Sequence, residues 1–379
     1  MRYSRGSAIS AVEPLHKPVQ MNQSRTRPSR SDGMLPMRAT DLARFPPASR
    51  PRLLFILDAE EEFDWKAPFS RENVSVTSMS KQGAAQRVFE RYGIRPTYAA
   101  DYAVATQDAG IRPLLELANS GACEIGAQLH AWVTPPFEEE LSEHNSFASN
   151  LPSHLEFRKA ERLTRAIEDH LGCTPKLYRA GRYGAGDATP SILARLGYEI
   201  DCSVLPGTPA GNGPDYEGAP AAPYWLAGGR TILEIPVTLR DVGIARNLGS
   251  DVYDRLVTPL GRALRGPAIA ARLHLLNRIR LTPEGSTLAE AKRLTRSMLA
   301  EGHRVFVVSY HTPSLVPGHT PYVRSQKDLD GFLGWLDSYC EFFMAEMRGV
   351  PSTPTAVRRW ALEMESGAHM TDSTIPAGE

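Results

Sequence analysis

The chain has no apolar run approaching the roughly 18 residues that suggest a membrane span. It has no excess of either charge, with 43 Lys and Arg against 43 Asp and Glu. That balance excludes the basic footprint by which many proteins hold nucleic acid. Cysteine is scarce: Cys123, Cys173, Cys202 and Cys340 show no Cys-x-x-Cys spacing. A cysteine-built zinc site is thereby disfavoured, and free thiols in a reducing compartment are expected. No self-similarity at a period of about 20 to 50 residues is present, which argues against a solenoid. The N-terminus lacks the apolar core of a signal peptide, so a cytoplasmic protein is expected.

What is present divides unevenly. Residues 1–50 are rich in Arg, Ser and Pro, poor in acids and without hydrophobic periodicity, and read as a disordered segment. Residues 51–350 read as one domain of alternating strands and helices. Apolar runs such as Leu53-Leu54-Phe55-Ile56-Leu57 and Val305-Phe306-Val307-Val308 read as strands buried on both faces. Helical spacing at Lys81–Tyr92, Ile111–Ser120, His154–Leu171 and Ala188–Leu196 is closed each time by glycine, at Gly93, Gly121, Gly172 and Gly197. Strand–helix alternation of this kind indicates parallel β/α units, and about seven strands in one run suit a barrel. Residues 241–285, leucine- and arginine-rich, interrupt the rhythm and read as a helical insertion. Residues 351–379 read as a C-terminal tail.

Polar residues recur at strand ends: Asp58 and Glu60, Gln128 and His130, Arg179, Asp201 and Ser203, Glu234, and His311. In a parallel barrel these ends share one face, where such folds place their chemistry. Residues two apart on a strand point the same way, so Asp58 and Glu60 can enter one cavity, as can Gln128, His130 and Trp132. A carboxylate with imidazole is a usual donor set for a catalytic divalent metal, and a second carboxylate is then free to act as a base. A lone histidine at a strand end is more often structural; two on separate strands beside two carboxylates favour a metal or acid–base site. Trp65, Trp132, Tyr183 and Trp225 can stack on sugar rings or serve as core. Gly181–Gly186 has the spacing of a turn rather than of a phosphate loop.

In order, Leu57-Asp58-Ala59-Glu60-Glu61, Glu124 to Trp132 (EIGAQLHAW), Tyr178 to Gly184 (YRAGRYG), Asp201 to Pro206 (DCSVLP) and Ser309 to Gly318 (SYHTPSLVPG) resemble the five motifs of the polysaccharide deacetylases. That family is the NodB-homology domain of carbohydrate esterase family 4, and the WalW-like branch is the most similar part of it. The resemblance covers roughly 51–347. It implies a deformed (β/α)7 barrel and metal-dependent removal of an N-acetyl, or less often O-acetyl, group from a saccharide in bacterial surface-polysaccharide metabolism. A nucleotide- or lipid-linked saccharide is the expected substrate. Carried over by position, Asp58 would be the general base, Arg179 its orienting partner and His311 the general acid. Glu60 and His130 would ligate the metal with Gln128, and Trp132, Tyr183, Asp201 and Ser203 would face substrate. Zinc is the expected metal, with cobalt or nickel as alternatives. One departure stands out: Gln128 occupies a position where the family pattern has histidine, and an amide oxygen is a poor transition-metal ligand beside imidazole. A glycan-binding relative without metal is therefore the first alternative. A barrel glycosidase using Glu60 and Glu234 is the second.

Overall fold

A computed structural model describes residues 32–35, 41–242 and 277–366. Most of the expected N-terminal disordered segment and most of the expected helical insertion lie outside the described residues.

The strands in chain order are β1 (Arg52–Ala59), β2 (Thr97–Ala100), β3 (Glu124–Leu129), β4 (Leu177–Ala180), β5 (Ile200–Asp201), β6 (Tyr224–Trp225), β7 (Leu233–Glu234), β8 (Leu239–Val242), β9 (Asn277–Arg280), β10 (Val305–His311) and β11 (Val350–Pro351). Nine form one sheet in the order β10-β1-β2-β3-β4-β5-β7-β6, with β11 on β1. Every neighbouring pair is parallel except β6 with β7. The sheet curls into a deformed (β/α)7 barrel. Its open side is bridged by irregular backbone: Val237 N–H donates to Val204 O at 3.0 Å, Leu281 N–H to Thr238 O at 2.9 Å, and Val307 N–H to Thr238 Oγ1 at 2.8 Å. This seam carries residues 281–284 alongside β10.

The ladder registers sort residues by face. Asp58 pairs with His311 and with Ala99, Ala99 with Gly126, Gln128 with Arg179, Leu177 with Ile200, and Ile200 with Leu233. With side chains alternating along each strand, these all point into the barrel. Leu54, Ile56, Leu177, Ile200, Leu233, Val305 and Val307 fill its lower part as one apolar cluster. The other face, with Leu53, Phe55, Leu57 and Tyr178, packs under the surrounding helices in the main core.

Two sequence readings need correction. The stretch read as a tail includes a helix, Pro354–Glu365, capped by the Thr353 hydroxyl. Its Val357, Trp360 and Ala361 join the barrel's inner cluster and close the end opposite the site. It was missed because its apolar positions are few and interspersed with charge. The segment read as a helical insertion begins and ends in strands: β8 and β9 form an antiparallel ribbon, and Leu281 to Gly285 follow without helix. Alternating Arg and apolar residues suit a half-exposed ribbon as well as a helix face.

Candidate active site

β1 ends by aiming Asp58 inward, and Glu60 follows directly after it; both are buried. One oxygen of Asp58 is ion-paired to the guanidinium of Arg179 from β4. The other lies 3.7 Å from His311 Nε2 at the end of β10. Arg179 also donates to Ser309 Oγ at 3.4 Å. The His311 ring is held from behind, with Nδ1 2.7 Å from Glu284 Oε2 while the His311 backbone N–H donates to Glu284 Oε1 at 3.1 Å. Ser314 Oγ adds a hydrogen bond to Glu284 at 2.5 Å. Burial disfavours the charged form of His311, but Glu284 and then Asp58 outweigh it, so its pKa is raised. Asp58 and His311 therefore lie side by side, each oriented by its own partner, a geometry suited to general acid–base chemistry.

Glu60 sits beside this pair. Burial, then the charges of Asp58, Glu61, Asp101 and Glu284, push its carboxyl well above the usual range. Glu60 Oε2 lies 3.5 Å from His130 Nε2 and 3.3 Å from Gln128 Nε2. His130 follows β3. Its Nδ1 is 2.7 Å from Glu61 Oε2, and Trp132 Nε1–H donates to Glu61 Oε1 at 2.6 Å. The backbone N–H of Glu61 donates in turn to Asp101 Oδ2 at 3.1 Å, and Asp101 caps the helix Tyr102–Thr106. Burial lowers the His130 pKa to about 4, against the attraction of Asp101 and Asp58, so the ring is neutral near pH 7. Gly181 makes room for that ring: a Cβ there would lie 2.5 Å from His130 Cδ2.

No family model matches the chain, and no curated protein matches it. Solved structures do. A candidate polysaccharide deacetylase from Mycobacterium smegmatis is 15% identical and covers 89% of this chain and 98% of its own, with a TM-score of 0.51. A candidate glycoside hydrolase/deacetylase from Parabacteroides distasonis is 10% identical and covers 83% of this chain and 72% of its own, with a TM-score of 0.53. The chain has the polysaccharide-deacetylase fold. At these identities the likeness bears on the fold alone.

Whether the residues of this deacetylase fold suit a metal ion can be asked of the geometry. Among the described residues, two groups of side chains converge closely enough to hold one: Asp58, Glu60 and His311, and Glu61, Asp101 and His130. The second group is already satisfied internally by the hydrogen bonds above. It serves to orient His130, because a carboxylate on Nδ1 leaves Nε2 as the free lone pair. The open valences are elsewhere. Glu60 Oε1 and Gln128 Oε1 are buried without a hydrogen-bond partner, and His130 Nε2 is aimed at Glu60. These atoms fit a divalent cation. Gln128 qualifies the fit: its Nε2 lies 3.1 Å from His130 Nε2, so the amide spans the two would-be ligands. Rotating the amide by a half-turn exchanges nitrogen for oxygen and offers the cation a third donor.

Not every residue expected at the site is there. Asp201 pairs in register with Tyr178 and Glu234, which puts it on the outer, helix-packed face. Ser203 is two residues on and donates to Asp201 Oδ1 at 2.6 Å while accepting from Ala180 N–H. Both are fully buried and neither faces the barrel interior, which corrects their reading as substrate-binding. Trp132 is likewise buried, stacked on His130 at 4.2 Å, and supports the ring rather than meeting solvent. Trp225 is in the lower core. Tyr183 remains half-buried at the rim, as does Trp65, edge-on to His311 at 4.9 Å. Glu61, to which the sequence assigns no separate role, is the buried partner of His130. Glu284 and Asp101 were given no role. Nothing local marks Glu284, whose position depends on the seam beside β10.

Proposed function

We propose that the chain is a metal-dependent hydrolase that removes an acetyl group from a bacterial saccharide, N-linked in preference to O-linked. The observation that carries this reading is the convergence of Asp58 with Arg179, His311 with Glu284, and Glu60 with His130 on one end of the barrel. Asp58 takes a proton from the attacking water, and Arg179 keeps it oriented. Water oxygen bonds to the acyl carbon, the carbon–nitrogen bond breaks, and protonated His311 delivers its proton to the departing amine. Glu60, His130 and the amide oxygen of Gln128 would hold a divalent cation, zinc or failing that cobalt or nickel, which would supply Lewis acidity toward the acyl carbonyl. No helix among the described residues is long and apolar enough to cross a membrane. A cytoplasmic enzyme acting on a nucleotide- or lipid-linked precursor of surface polysaccharide is the setting we favour. Release of acetate from acetylated amino-sugar substrates by purified protein, measured with and without added zinc or cobalt, is the direct test; no release under any metal condition sinks the reading.

One observation favours a second reading. The Gln128 amide nitrogen bridges Glu60 and His130 where a cation would sit, which suits a glycan-binding relative that has given up its metal. Elemental analysis of the purified chain separates the two. Stoichiometric metal supports the enzyme, and metal acquired only by Gln128→His supports the binder. The glycosidase alternative has no such support. The charges acting on Glu60 are Asp58, Glu61, Asp101 and Glu284, whereas those acting on Glu234 are Asp201 and Arg179, and Glu234 lies on the opposite face of the barrel wall.

A further inference from the structure

Arg280 stands apart from the other guanidiniums around the site. Arg179 is ion-paired with Asp58, and Arg182 lies 3.5 Å from Glu143 and donates to Ser146 Oγ. Arg280, half-buried at the end of β9, makes no ion pair among the described residues, and its Nε is buried without a hydrogen-bond partner. One of its terminal nitrogens donates to the hydroxyl of Tyr183, and its guanidinium centre lies 4.9 Å from the Tyr183 ring. The same ring has the Arg179 guanidinium 5.8 Å away on the Asp58 side. Tyr183 is thus a spacer between the cation paired with Asp58 and a second cation that has no ion-pair partner among the described residues.

The local backbone is strained to achieve this. Arg182 and Tyr183 have φ of 56° and 59°, a left-handed conformation that side-chain-bearing residues rarely adopt and that clusters at functional sites. Arg280 also acts on the site's field: its charge lowers the pKa of His311, Tyr183 and Tyr322, opposing Glu284 at each of them. An uncompensated, partly desolvated guanidinium beside an acid–base pair is a ready partner for an oxyanion, which it can grip with two parallel N–H donors.

We infer that Arg280, anchored by Tyr183, is a specificity-determining residue that binds an anionic oxygen of the substrate, so that the acetylated saccharide carries a phosphate or carboxylate group near the reacting amide. This rests on the deacetylase reading above. The test compares matched acetylated amino sugars: a neutral methyl glycoside, a 1-phosphate and a uronic-acid derivative. Wild-type protein should prefer an anionic member over the neutral one by about tenfold or more in kcat/KM. Arg280→Met should compress that ratio to within about threefold, mainly through KM, and Arg280→Lys should fall between because it keeps charge without the fork. The ranking of phosphate against carboxylate identifies the source of the anion. Equal use of neutral and anionic sugars by wild type, or a loss in Arg280→Met that leaves the ratio unchanged, overturns the inference. If no sugar is turned over, the deacetylase reading fails by itself. Calorimetric binding of the same sugars then decides the subsite: anion-selective affinity lost in Arg280→Met upholds it, and affinity that ignores the anion or the substitution refutes it.

Discussion

Asp58 and Glu60 at the end of β1, and Asp201 and Glu234 on β5 and β7, are all carboxylates at the carboxyl ends of parallel strands, and all are buried. They differ in the face they occupy. Asp58 and Glu60 point into the barrel, where Arg179, His311 and His130 meet them. Asp201 and Glu234 point outward beneath the helices. One oxygen of each outer residue is satisfied, Asp201 Oδ1 by Ser203 and Glu234 Oε1 by the backbone N–H of Val204 at 3.1 Å. The remaining oxygens, Asp201 Oδ2 and Glu234 Oε2, have no separate partner. Two carboxylates in register can share such a position only by sharing a proton. The inner group is therefore an open set of charges with valences to spare, whereas the outer pair is closed. Burial, strand position and residue type are the same in both; facing and neighbours decide which is chemistry.

The largest effect should separate the two groups outright. Asp58→Asn should lower acetate release by about 10²- to 10⁴-fold, as expected for loss of a general base, and should also lower thermal stability, because it leaves the buried Arg179 without its counter-charge. Glu234→Gln should leave release within a few-fold. Comparable losses in both would erase the distinction. Next in size is metal retention. Glu60→Gln should lower bound zinc to a small fraction of that in wild type, read by elemental analysis after dialysis, whereas Gln128→His should raise affinity by about tenfold or more because imidazole outcompetes an amide oxygen. A smaller effect is expected at Glu284. Glu284→Gln removes the attraction that raises the His311 pKa, so the protonated acid is lost at lower pH. The alkaline limb of the kcat profile should move to lower pH, with activity near pH 8 down about tenfold or less. An unmoved limb would mean that His311 is not the titrating acid.

How much of this was legible beforehand follows from the same contrast. The strands were visible because buried apolar runs end in polar residues, and Asp58, Glu60, His130, Arg179 and His311 were expected to share one end of the barrel because each lies at or near the end of such a run. Facing was not visible at β5. Ile200 and Cys202 fill the inner cluster while Val204 and Tyr198 fill the outer core, so alternation there shows no polar contrast and cannot say which way Asp201 points. Glu61 carries no signal of its own, because acidic turns are usually solvated and only the tertiary fold brings His130 and Trp132 onto it. Glu284 depends on a seam built from irregular backbone, which has no periodicity to read. The helix Pro354–Glu365 was lost for a different reason: its packing surface is Trp360 and Val357 against the barrel's lower end, too few positions to register as an amphipathic stripe.

The smallest effect concerns the closed pair itself. Burial first, then Asp201, raises the Glu234 carboxyl well above its ordinary value of 4.5, and Asp201 is also raised by burial. The folded chain therefore keeps a proton that the unfolded chain has released once pH exceeds the ordinary carboxylate range. With the unfolded state binding fewer protons, stability falls as pH rises from about 4.5 toward the raised folded value. Glu234→Gln replaces the shared proton with an amide N–H that can donate to Asp201 at any pH, while its carbonyl still accepts from Val204. The variant should match wild type near pH 5 and exceed it by about 1 kcal/mol near pH 8, the net worth of a buried hydrogen bond no longer tied to protonation. Thermal melts at the two pH values read this directly. A variant less stable than wild type at both would mean that no proton is shared and that the outer pair is held together in some other way.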